Sequence, residues 1–205
     1  EDIRQKMYGF AAQLARAGWT LRSGGADGSD AAFEAGCDSE LGKKEIFLPW
    51  KGFNKSLSSL YKVSPEAEES VEKYHPAPQN LSLAAKRLMG RNYHQVMGPR
   101  IGAHSSGVCI CYTEGGKLVG GTSQALRIIL DLLPNCVILN LGAYAFEMRH
   151  IHALIVAYQR AVCRNGIFFF HSESPADGPM DIISLLEVVH ENNRFRTAAG
   201  CKGYT

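Results

Sequence analysis

The sequence has no apolar run of membrane-spanning length, no Cys-x-x-Cys pair and no strong excess of either charge. A spanning helix needs about 20 consecutive apolar residues, so we expect no insertion into a membrane. The net charge of +2 provides no global basic field for a nucleic acid and leaves only a local basic site open. The six cysteines show no disulfide-scaffold spacing, so we expect free thiols in a reducing, cytoplasmic setting.

Two common catalytic patterns are also missing. No serine lies in a Gly-x-Ser-x-Gly sequence, which excludes a nucleophile elbow of that form. Glu147, His150 and His152 lie close together along a predicted helix but do not form a His-Glu-x-x-His pattern. Exposed polar positions explain them more simply than a metal site does, so we expect neither a metal nor another cofactor.

With 205 residues, of which 45% are hydrophobic and 20% charged, the chain has the composition of a globular protein. We expect residues 1–150 to form a nucleotide-binding domain and residues 151–205 a helix-strand-helix extension packed on it. The first four residues do not resemble a signal peptide, and we expect the natural start to lie upstream.

Residues 21–36 have the pattern of a strand end, a glycine-rich turn and a helix start. Gly24, Gly25 and Gly28 permit positive φ and the close approach of another group, and Ser29 or Asp30 is the predicted N-cap. The backbone N–H groups of such a helix start can bind a phosphate. An ordinary tight strand-to-helix connection explains the glycines nearly as well.

The acidic residues of this first glycine loop leave its ligand open. Asp27 and Asp30 could cap the turn and the helix, bind a ribose hydroxyl or a metal, or repel a phosphate. Arg22, at the strand end beside them, adds a charged donor that favours an anion.

A second strand-loop-helix unit follows in residues 107–133, and residues 136–141 are the next buried strand. Unbroken apolar strands are typical of a parallel sheet that is covered on both faces. We therefore predict an α/β, doubly wound, mainly parallel sheet with helices on both faces, whose ligand binds at the carboxyl ends of the strands.

The other predicted elements are helices at 2–17, 80–97, 144–164 and 179–190, a helix that begins at Pro65 with Ser64 as its N-cap, and strands at 44–49 and 166–170. Gly18 is the predicted C-cap of the first helix. The helix at 80–97 has a polar face formed by Arg87, Arg91, Asn92 and His94, which we interpret as solvated, Arg87 in particular.

Several ordered motifs across residues 2–145 together resemble a bacteriophage and bacterial family within the SLOG superfamily of Rossmann-like proteins. This superfamily also contains the DNA-processing protein DprA and the LOG-type nucleotide phosphoribohydrolases. The motifs are Arg-Ser-Gly-Gly-Ala-Asp-Gly-Ser-Asp at 22–30, Ile-Phe-Leu-Pro-Trp at 46–50, Arg-Asn-Tyr-His at 91–94, Cys-Ile-Cys-Tyr-Thr at 109–113 and Gly-Gly-Thr-Ser-Gln-Ala-Leu-Arg at 120–127.

The resemblance implies a Rossmann-like sheet that binds a nucleotide or a nucleotide-derived molecule between two glycine loops. Arg22 and Arg127 are the expected clamps for its phosphate, and Thr122 adds a hydroxyl. The full set of ligand-binding residues that it implies is Arg22, Ser23, Gly24, Gly25, Asp27, Gly28, Arg91, Asn92, Thr113, Gly120, Gly121, Thr122 and Arg127.

The chain departs from this pattern at the position expected for catalysis. LOG-type hydrolases carry a catalytic glutamate three residues after the threonine of the second loop, where this chain has Ala125. Glu34 or Asp30 could replace it as the acid/base of an N-glycosidic cleavage. Whether the protein is an enzyme is therefore left open, with hydrolysis as the alternative to binding alone.

A second departure lies at the start, where similar proteins have a hydrophobic strand and a Gly-Ser-Arg-Glu-Thr-Pro-like loop before the first helix. Residues 167–175 have the same strand and Ser-x-Ser-Pro order. We predict that this segment fills the vacant strand position, within the chain or by swapping into a partner. A small appended element is the alternative.

Binding of single-stranded DNA, as in DprA, is the other alternative function. Tyr93 or Tyr112 could stack on bases, whereas the low net charge and an acidic stretch at 66–72 argue against this role. In this role a basic stripe of arginines would contact the DNA. The stripe would consist of Arg87, Arg91, Arg100, Arg127, Arg149, Arg160 and Arg164.

We also expect the protein to self-associate through exposed apolar helices.

Overall fold

The computed structural model describes residues 2–101, 103–164 and 182–199. Helices and short strands alternate along these residues, with a few 3₁₀ turns between them. The elements are α1 (Ile3–Arg16), β1 (Leu21–Ser23), α2 (Ser29–Ser39), β2 (Lys44–Ile46), α3 (Pro65–Tyr74), α4 (Leu83–Met97), β3 (Val108–Cys111), α5 (Thr122–Leu132), β4 (Val137–Asn140), α6 (Met148–Arg164) and α7 (Ile182–Ala198).

The strands pair in parallel as two separate two-stranded sheets. In the first, β1 pairs with β2 and Arg22 lies opposite Glu45. In the second, β3 pairs with β4 and Cys109 lies opposite Ile138. The predicted α/β class with parallel strands is thus confirmed, whereas no ladder joins β1 to β3 within the described residues.

Helices cover both faces of the β3–β4 sheet. Ile138 packs in a core cluster with residues of α4 and α5, and its neighbour Leu139 packs in a different cluster with residues of α1 and α6. Successive side chains of a strand point to opposite faces, which explains why these two residues belong to different clusters. The buried, unbroken apolar character of this strand follows from that double cover.

The β1–β2 sheet shares its covering helices with the other sheet. Leu21 of β1 packs against the cluster formed by Met7 and Ala11 of α1 and Phe33 of α2. Helix α4 also contacts β1. The two sheets therefore lie between the same helix layers.

Helices α1 and α2 pack very closely at one point. An added Cβ at Gly36 would lie 2.1 Å from the carbonyl oxygen of Tyr8, closer than any side chain could be placed. A glycine at this position therefore allows the two helices to pack with their backbones in near contact.

Two predicted helix ends are confirmed. Ser64 caps α3 by accepting a hydrogen bond from the Ala67 N–H at 3.3 Å, and Pro65 is the first helical residue, where its missing N–H costs nothing. Gly18 follows α1 with a φ of +84°, the positive φ that is typical of a glycine at the end of a helix.

The C-terminal helix extends further than the sequence predicts, reaching Ala198 instead of residue 190. Phe195 is buried in the cluster that includes α5, and this tertiary contact explains the added turns.

The predicted domain boundary at residue 150 falls within α6. The predicted strand at 166–170 and its Ser-x-Ser-Pro continuation lie outside the described residues. No helix in the described ranges is both long enough and apolar enough to cross a membrane.

Candidate functional site

A cavity of about 680 Å³ lies between the two sheets. All of β1 and all of β3 line it, together with residues of the surrounding helices. One part of its wall consists of polar residues that follow the carboxyl ends of β1 and β3 or lie on α4. These are Asp27, Ser29, Asp30, Arg91, Asn92 and Thr122.

The Asp30 carboxylate forms a hydrogen bond within the first glycine loop. Asp30 Oδ2 accepts a hydrogen bond from the Ala26 N–H at 3.0 Å, so its side chain turns back toward the loop. The predicted N-cap at Ser29 or Asp30 is therefore wrong: the cap residue is Gly28, with a φ of 88° and no side-chain hydrogen bond. Helix α2 thus begins without a side chain covering its N-terminus.

The two candidate acid/base residues lie in different surroundings. Asp30 lines the cavity. Glu34 accepts a hydrogen bond from the Ser23 hydroxyl at 2.6 Å and is not part of the cavity lining. The Gly25 N–H in turn donates to Ser23 Oγ at 3.3 Å, so Glu34 acts as a support for the first loop.

The second glycine loop has the same open helix start. Gly120 has a φ of +74°, and Gly121 is the N-cap of α5 without a side-chain hydrogen bond. An added Cβ at Gly121 would meet only Met89 Cε, at 3.6 Å. The space beside Gly121 is therefore open, and Thr122 next to it lines the cavity.

Two adjacent residues of α4 hold the two loops. Arg91 donates a hydrogen bond to the carbonyl oxygen of Gly24 in the first loop. Asn92 Nδ2 donates to the carbonyl oxygen of Gly121 in the second loop, at 3.1 Å. One helix therefore fixes both glycine loops at the same cavity.

Arg91 is a partly buried cation on the cavity wall. Its Nε is buried and has no hydrogen-bond partner, and Arg91 makes no ion pair with any described residue. Burial lowers the pKa of its guanidinium, and the nearby Asp30 carboxylate partly opposes this effect. The guanidinium also lies 5.2 Å from the centre of the Phe53 ring. An anion in the cavity would offset the lost hydration of this charge.

The two arginines expected as phosphate clamps make internal contacts instead. Arg22 lines the cavity and forms a 2.7 Å ion pair with Glu45. Arg127 donates to Ser123 Oγ at 3.0 Å and to the Leu118 carbonyl oxygen at 2.9 Å, and it is not part of the cavity lining. Among the expected site residues, Arg91 is therefore the cavity-lining arginine that lacks an ion pair.

The polar side of α4 is solvated at Arg87, as expected, but not along its whole length. Asn92 and His94 are buried, while Arg87 is exposed. His94 Nε2 accepts a hydrogen bond from the Ser64 N–H at 3.1 Å. These side chains serve as internal connections because α4 is covered by α3 and by the two loops.

Asn140, which the sequence did not single out, organises the base of the second loop. Its Oδ1 accepts hydrogen bonds from the Thr113 and Gly142 N–H groups, both at 3.1 Å. Its Nδ2 donates to Thr113 Oγ1 at 2.7 Å. Thr113 is itself buried, so its hydroxyl serves this network and does not face the cavity.

We expect Asn140→Leu to reduce the free energy of unfolding by about 3 kcal/mol, because the buried Thr113 N–H and the part-buried Gly142 N–H would lose their acceptor. The change is measured by urea denaturation followed by circular dichroism. Asn135→Leu, at an exposed position before β4, is the matched control and should change stability by less than about 0.5 kcal/mol. Equal unfolding midpoints for both variants would contradict the proposed network.

The residues considered for a metal or a nucleic acid make other contacts. His150 Nδ1 accepts a hydrogen bond from the Glu147 N–H at 2.8 Å, and its Nε2 lies 3.0 Å from Glu187. Arg149, from the predicted basic stripe, pairs with Glu147 and Glu187 at 3.4 Å. Within the described parts of the chain, no cluster of three or more His, Cys, Asp or Glu side chains could hold a metal ion.

The described geometry thus brings eight of the expected site residues to one cavity: Arg22, Ser23, Asp27, Asp30, Arg91, Asn92, Gly121 and Thr122. The other expected residues are not part of its lining; they are Gly24, Gly25, Gly28, Glu34, Thr113, Gly120 and Arg127.

Comparisons of the chain with protein-family models, curated proteins and solved structures found no match.

Proposed function

We propose that the two sheets are halves of one Rossmann-like, doubly wound sheet. Helix α2 joins β1 to β2 and packs with α1, whereas α5 joins β3 to β4 and packs with α4. Right-handed crossovers on opposite faces of a sheet step in opposite directions. This rule makes β2 and β4 the outer strands and β1 and β3 the inner ones, which agrees with the cavity that β1 and β3 share.

The function that this geometry supports best is the binding of a nucleotide or a nucleotide-derived small molecule through its phosphate. In a doubly wound sheet, ligands bind at the carboxyl ends of the strands where the strand order reverses. Here that point lies between the two glycine loops, where α2 and α5 both begin without a side-chain cap. Two helix N-termini favour an anion at this point.

Arg91 is the observation that carries the proposal. A partly buried guanidinium without an ion pair is costly for a protein to maintain. Arg91 lines the same cavity as the first turn of α2 and of α5, so a phosphate placed there would lie close to its guanidinium charge. The charge of Arg91 would then stabilise the complex.

Hydrolysis of a nucleotide N-glycosidic bond is a second candidate, and the position of Asp30 in the cavity lining favours it. The Asp30 carboxylate could serve as the acid/base there. Chromatography for a released base, after incubation of the protein with each nucleotide that binds, separates hydrolysis from binding alone.

We expect Gly121→Val to weaken nucleotide binding at least about tenfold, or about 1.4 kcal/mol, because the side chain would block approach to the α5 N-terminus. The open space around Gly121 should leave the fold intact. The test is a thermal-shift screen with nucleoside mono-, di- and triphosphates, cyclic nucleotides, ADP-ribose and short single-stranded DNA, since a ligand bound by the native state raises Tm.

Ala84→Val, at an exposed position of α4, is the control and should bind as the unsubstituted protein does. If a nucleotide stabilises the Gly121→Val variant and the unsubstituted protein equally, the site is not between the two loops. A shift with DNA alone that disappears at higher salt would indicate phosphate-backbone binding instead.

A further inference from the structure

The loop that follows β2 lies against the first glycine loop. Strands β1 and β2 are parallel neighbours, so the chain leaves both of them at the same side of the sheet. Asn54 Nδ2 donates a hydrogen bond to the Gly25 carbonyl oxygen at 3.0 Å, and an added Cβ at Gly25 would lie 3.0 Å from Leu48 Cδ2. We call residues 50–55 the aromatic loop, and a ligand held by the first glycine loop has them as neighbours.

Two aromatic rings meet in this loop. The Trp50 and Phe53 rings lie with their centres 5.2 Å apart and their planes at 88°, an edge-to-face arrangement that aromatic pairs favour. Tryptophan is highly buried in proteins on average, yet Trp50 is 37% exposed. The contact with Phe53 therefore holds an indole ring in place at the protein surface, where its exposed part is open to another flat ring.

The ring pair reaches the phosphate site through Arg91. The guanidinium carbon of Arg91 lies 5.2 Å from the centre of the Phe53 ring, and Arg91 lines the cavity beside the starts of α2 and α5. The Trp50 ring centre therefore lies within two steps of 5.2 Å of this charge. A nucleotide spans a distance of this order between its phosphate and its base, so one molecule can contact both residues.

The backbone of the aromatic loop is strained next to these rings. Asn54 has a φ of 47° and Lys55 a φ of 61°, and residues other than glycine seldom adopt such left-handed angles. Strain of this kind persists where surrounding contacts hold it, and it is concentrated at sites that bind ligands. The hydrogen bond from Asn54 to Gly25 is one such contact, and it ties the strained turn to the first glycine loop.

We propose that Trp50 is the base-stacking residue of the nucleotide site, an inference that rests on the binding function proposed above. The base lies flat on the exposed part of the indole ring while the phosphate lies beside Arg91. Every base has a π-face, so stacking tolerates purines and pyrimidines alike. The ligand class is therefore a nucleoside phosphate of any base, and a sugar phosphate without a base binds more weakly.

The test compares ligands with and without a base by isothermal titration calorimetry. The probes are AMP, GMP, CMP and UMP, with ribose 5-phosphate as the base-free molecule. We expect Trp50→Leu to weaken binding of each nucleotide about tenfold, because leucine keeps apolar bulk but has no ring on which a base can stack. Binding of ribose 5-phosphate should be unchanged, and Trp50→Phe, which keeps a ring, should restore most of the nucleotide affinity.

Two further variants show which half of the site is affected. Arg91→Met should weaken binding of the nucleotides and of ribose 5-phosphate alike, because both carry the phosphate. Leu57→Ala is the matched control, since Leu57 is 99% exposed and lies two residues beyond the aromatic loop. This variant should bind every probe as the unsubstituted protein does.

The outcomes separate a failure of stacking from a failure of the site. If Trp50→Leu binds the four nucleotides as tightly as the unsubstituted protein, the base does not stack on Trp50, while the phosphate site stands. If Trp50→Leu weakens binding of ribose 5-phosphate as much as that of the nucleotides, Trp50 has a structural role and the proposal is wrong. If none of the probes binds the unsubstituted protein, the nucleotide function and the stacking role both fail.

Tyr112 is the alternative stacking residue. It is 41% exposed, follows β3 and lines the cavity. If Tyr112→Leu weakens nucleotide binding and Trp50→Leu does not, the base lies on the β3 side of the site and the proposal is overturned.

Fluorescence gives an independent measurement. The chain contains two tryptophans, Trp19 and Trp50, so in the Trp19→Phe variant all tryptophan emission comes from Trp50. We expect saturating AMP to quench this emission, because a stacked base lies in contact with the indole ring, whereas ribose 5-phosphate should leave it unchanged. Emission that AMP does not change, or that both probes change equally, would contradict the proposal.

Discussion

Arg91→Met is expected to remove most of the stabilisation that a phosphate-bearing nucleotide gives to this protein. A hydrogen bond to a charged group contributes about 1.5–3 kcal/mol, so affinity should fall roughly 10- to 100-fold. Isothermal titration calorimetry with the nucleotide that gives the largest thermal shift measures this loss. Met keeps most of the length and the apolar packing of the arginine stem while removing its charge.

The stability of the ligand-free variant separates a binding role from a structural one. Arg91 is partly buried, and burial lowers the pKa of its guanidinium, so removing the charge also removes a desolvation cost. We therefore expect the free Arg91→Met protein to unfold within about 1 kcal/mol of the unsubstituted protein. A large loss of stability without ligand would mean that the hydrogen bond to Gly24 is its main role.

Arg87→Met is the matched control because it removes the same charge from an exposed position one turn earlier in α4. It should bind nucleotide with unchanged affinity at physiological salt. Equal losses in the two variants would indicate that only the overall positive charge attracts the ligand, and the specific site would be refuted.

Gly36→Ala is expected to have the largest effect on stability. The added Cβ would lie 2.1 Å from the carbonyl oxygen of Tyr8, and backbone atoms cannot yield as a flexible side chain can. Helices α1 and α2 would have to separate, which would loosen the packing of Phe33 against α1. We expect a loss of about 3 kcal/mol or more, measured by urea denaturation, and a decrease in Tm of about 10 °C.

Gly9→Ala, on the facing helix α1, is the control with the opposite expected sign. Its Cβ would meet only the terminal methyl group of Met148, at 3.0 Å, and that group can move. Alanine is preferred to glycine within a helix by about 0.5–1 kcal/mol. If Gly9→Ala destabilises the protein as much as Gly36→Ala, general sensitivity of the helices explains the result better than the close contact.

Features that depend on local sequence were predicted well. Ser64 and Pro65 mark a helix start in any context, because a hydroxyl cap and a fixed φ act within one turn. The strand-loop-helix pattern of the two glycine loops is equally local, since strand propensity, turn glycines and helical periodicity occur in sequence. Residues of both loops line one cavity, whereas a ligand at the carboxyl ends of the strands stays a prediction.

Features that depend on tertiary contacts were not predictable in this way. Asn140 ends an apolar strand, and nothing in its neighbours indicates that its amide would hold Thr113 and Gly142. The burial of His94 and Asn92 was not predictable because helical periodicity does not show which other elements cover a face. The N-cap of α2 was predicted at the wrong residue because the Asp30 carboxylate accepts a hydrogen bond from the Ala26 N–H. Residue preferences for the N-cap do not predict which N–H group a carboxylate binds.

The edges of β1 and β3 that face the cavity also bear on how this protein behaves at high concentration. A strand edge with free N–H and C=O groups is a template on which another chain can add by β-pairing. The apolar residues that line the cavity would add buried apolar area to such an addition. Solubility at high concentration should therefore depend more on whether another chain can reach this cavity than on the mixed charges of the outer surface.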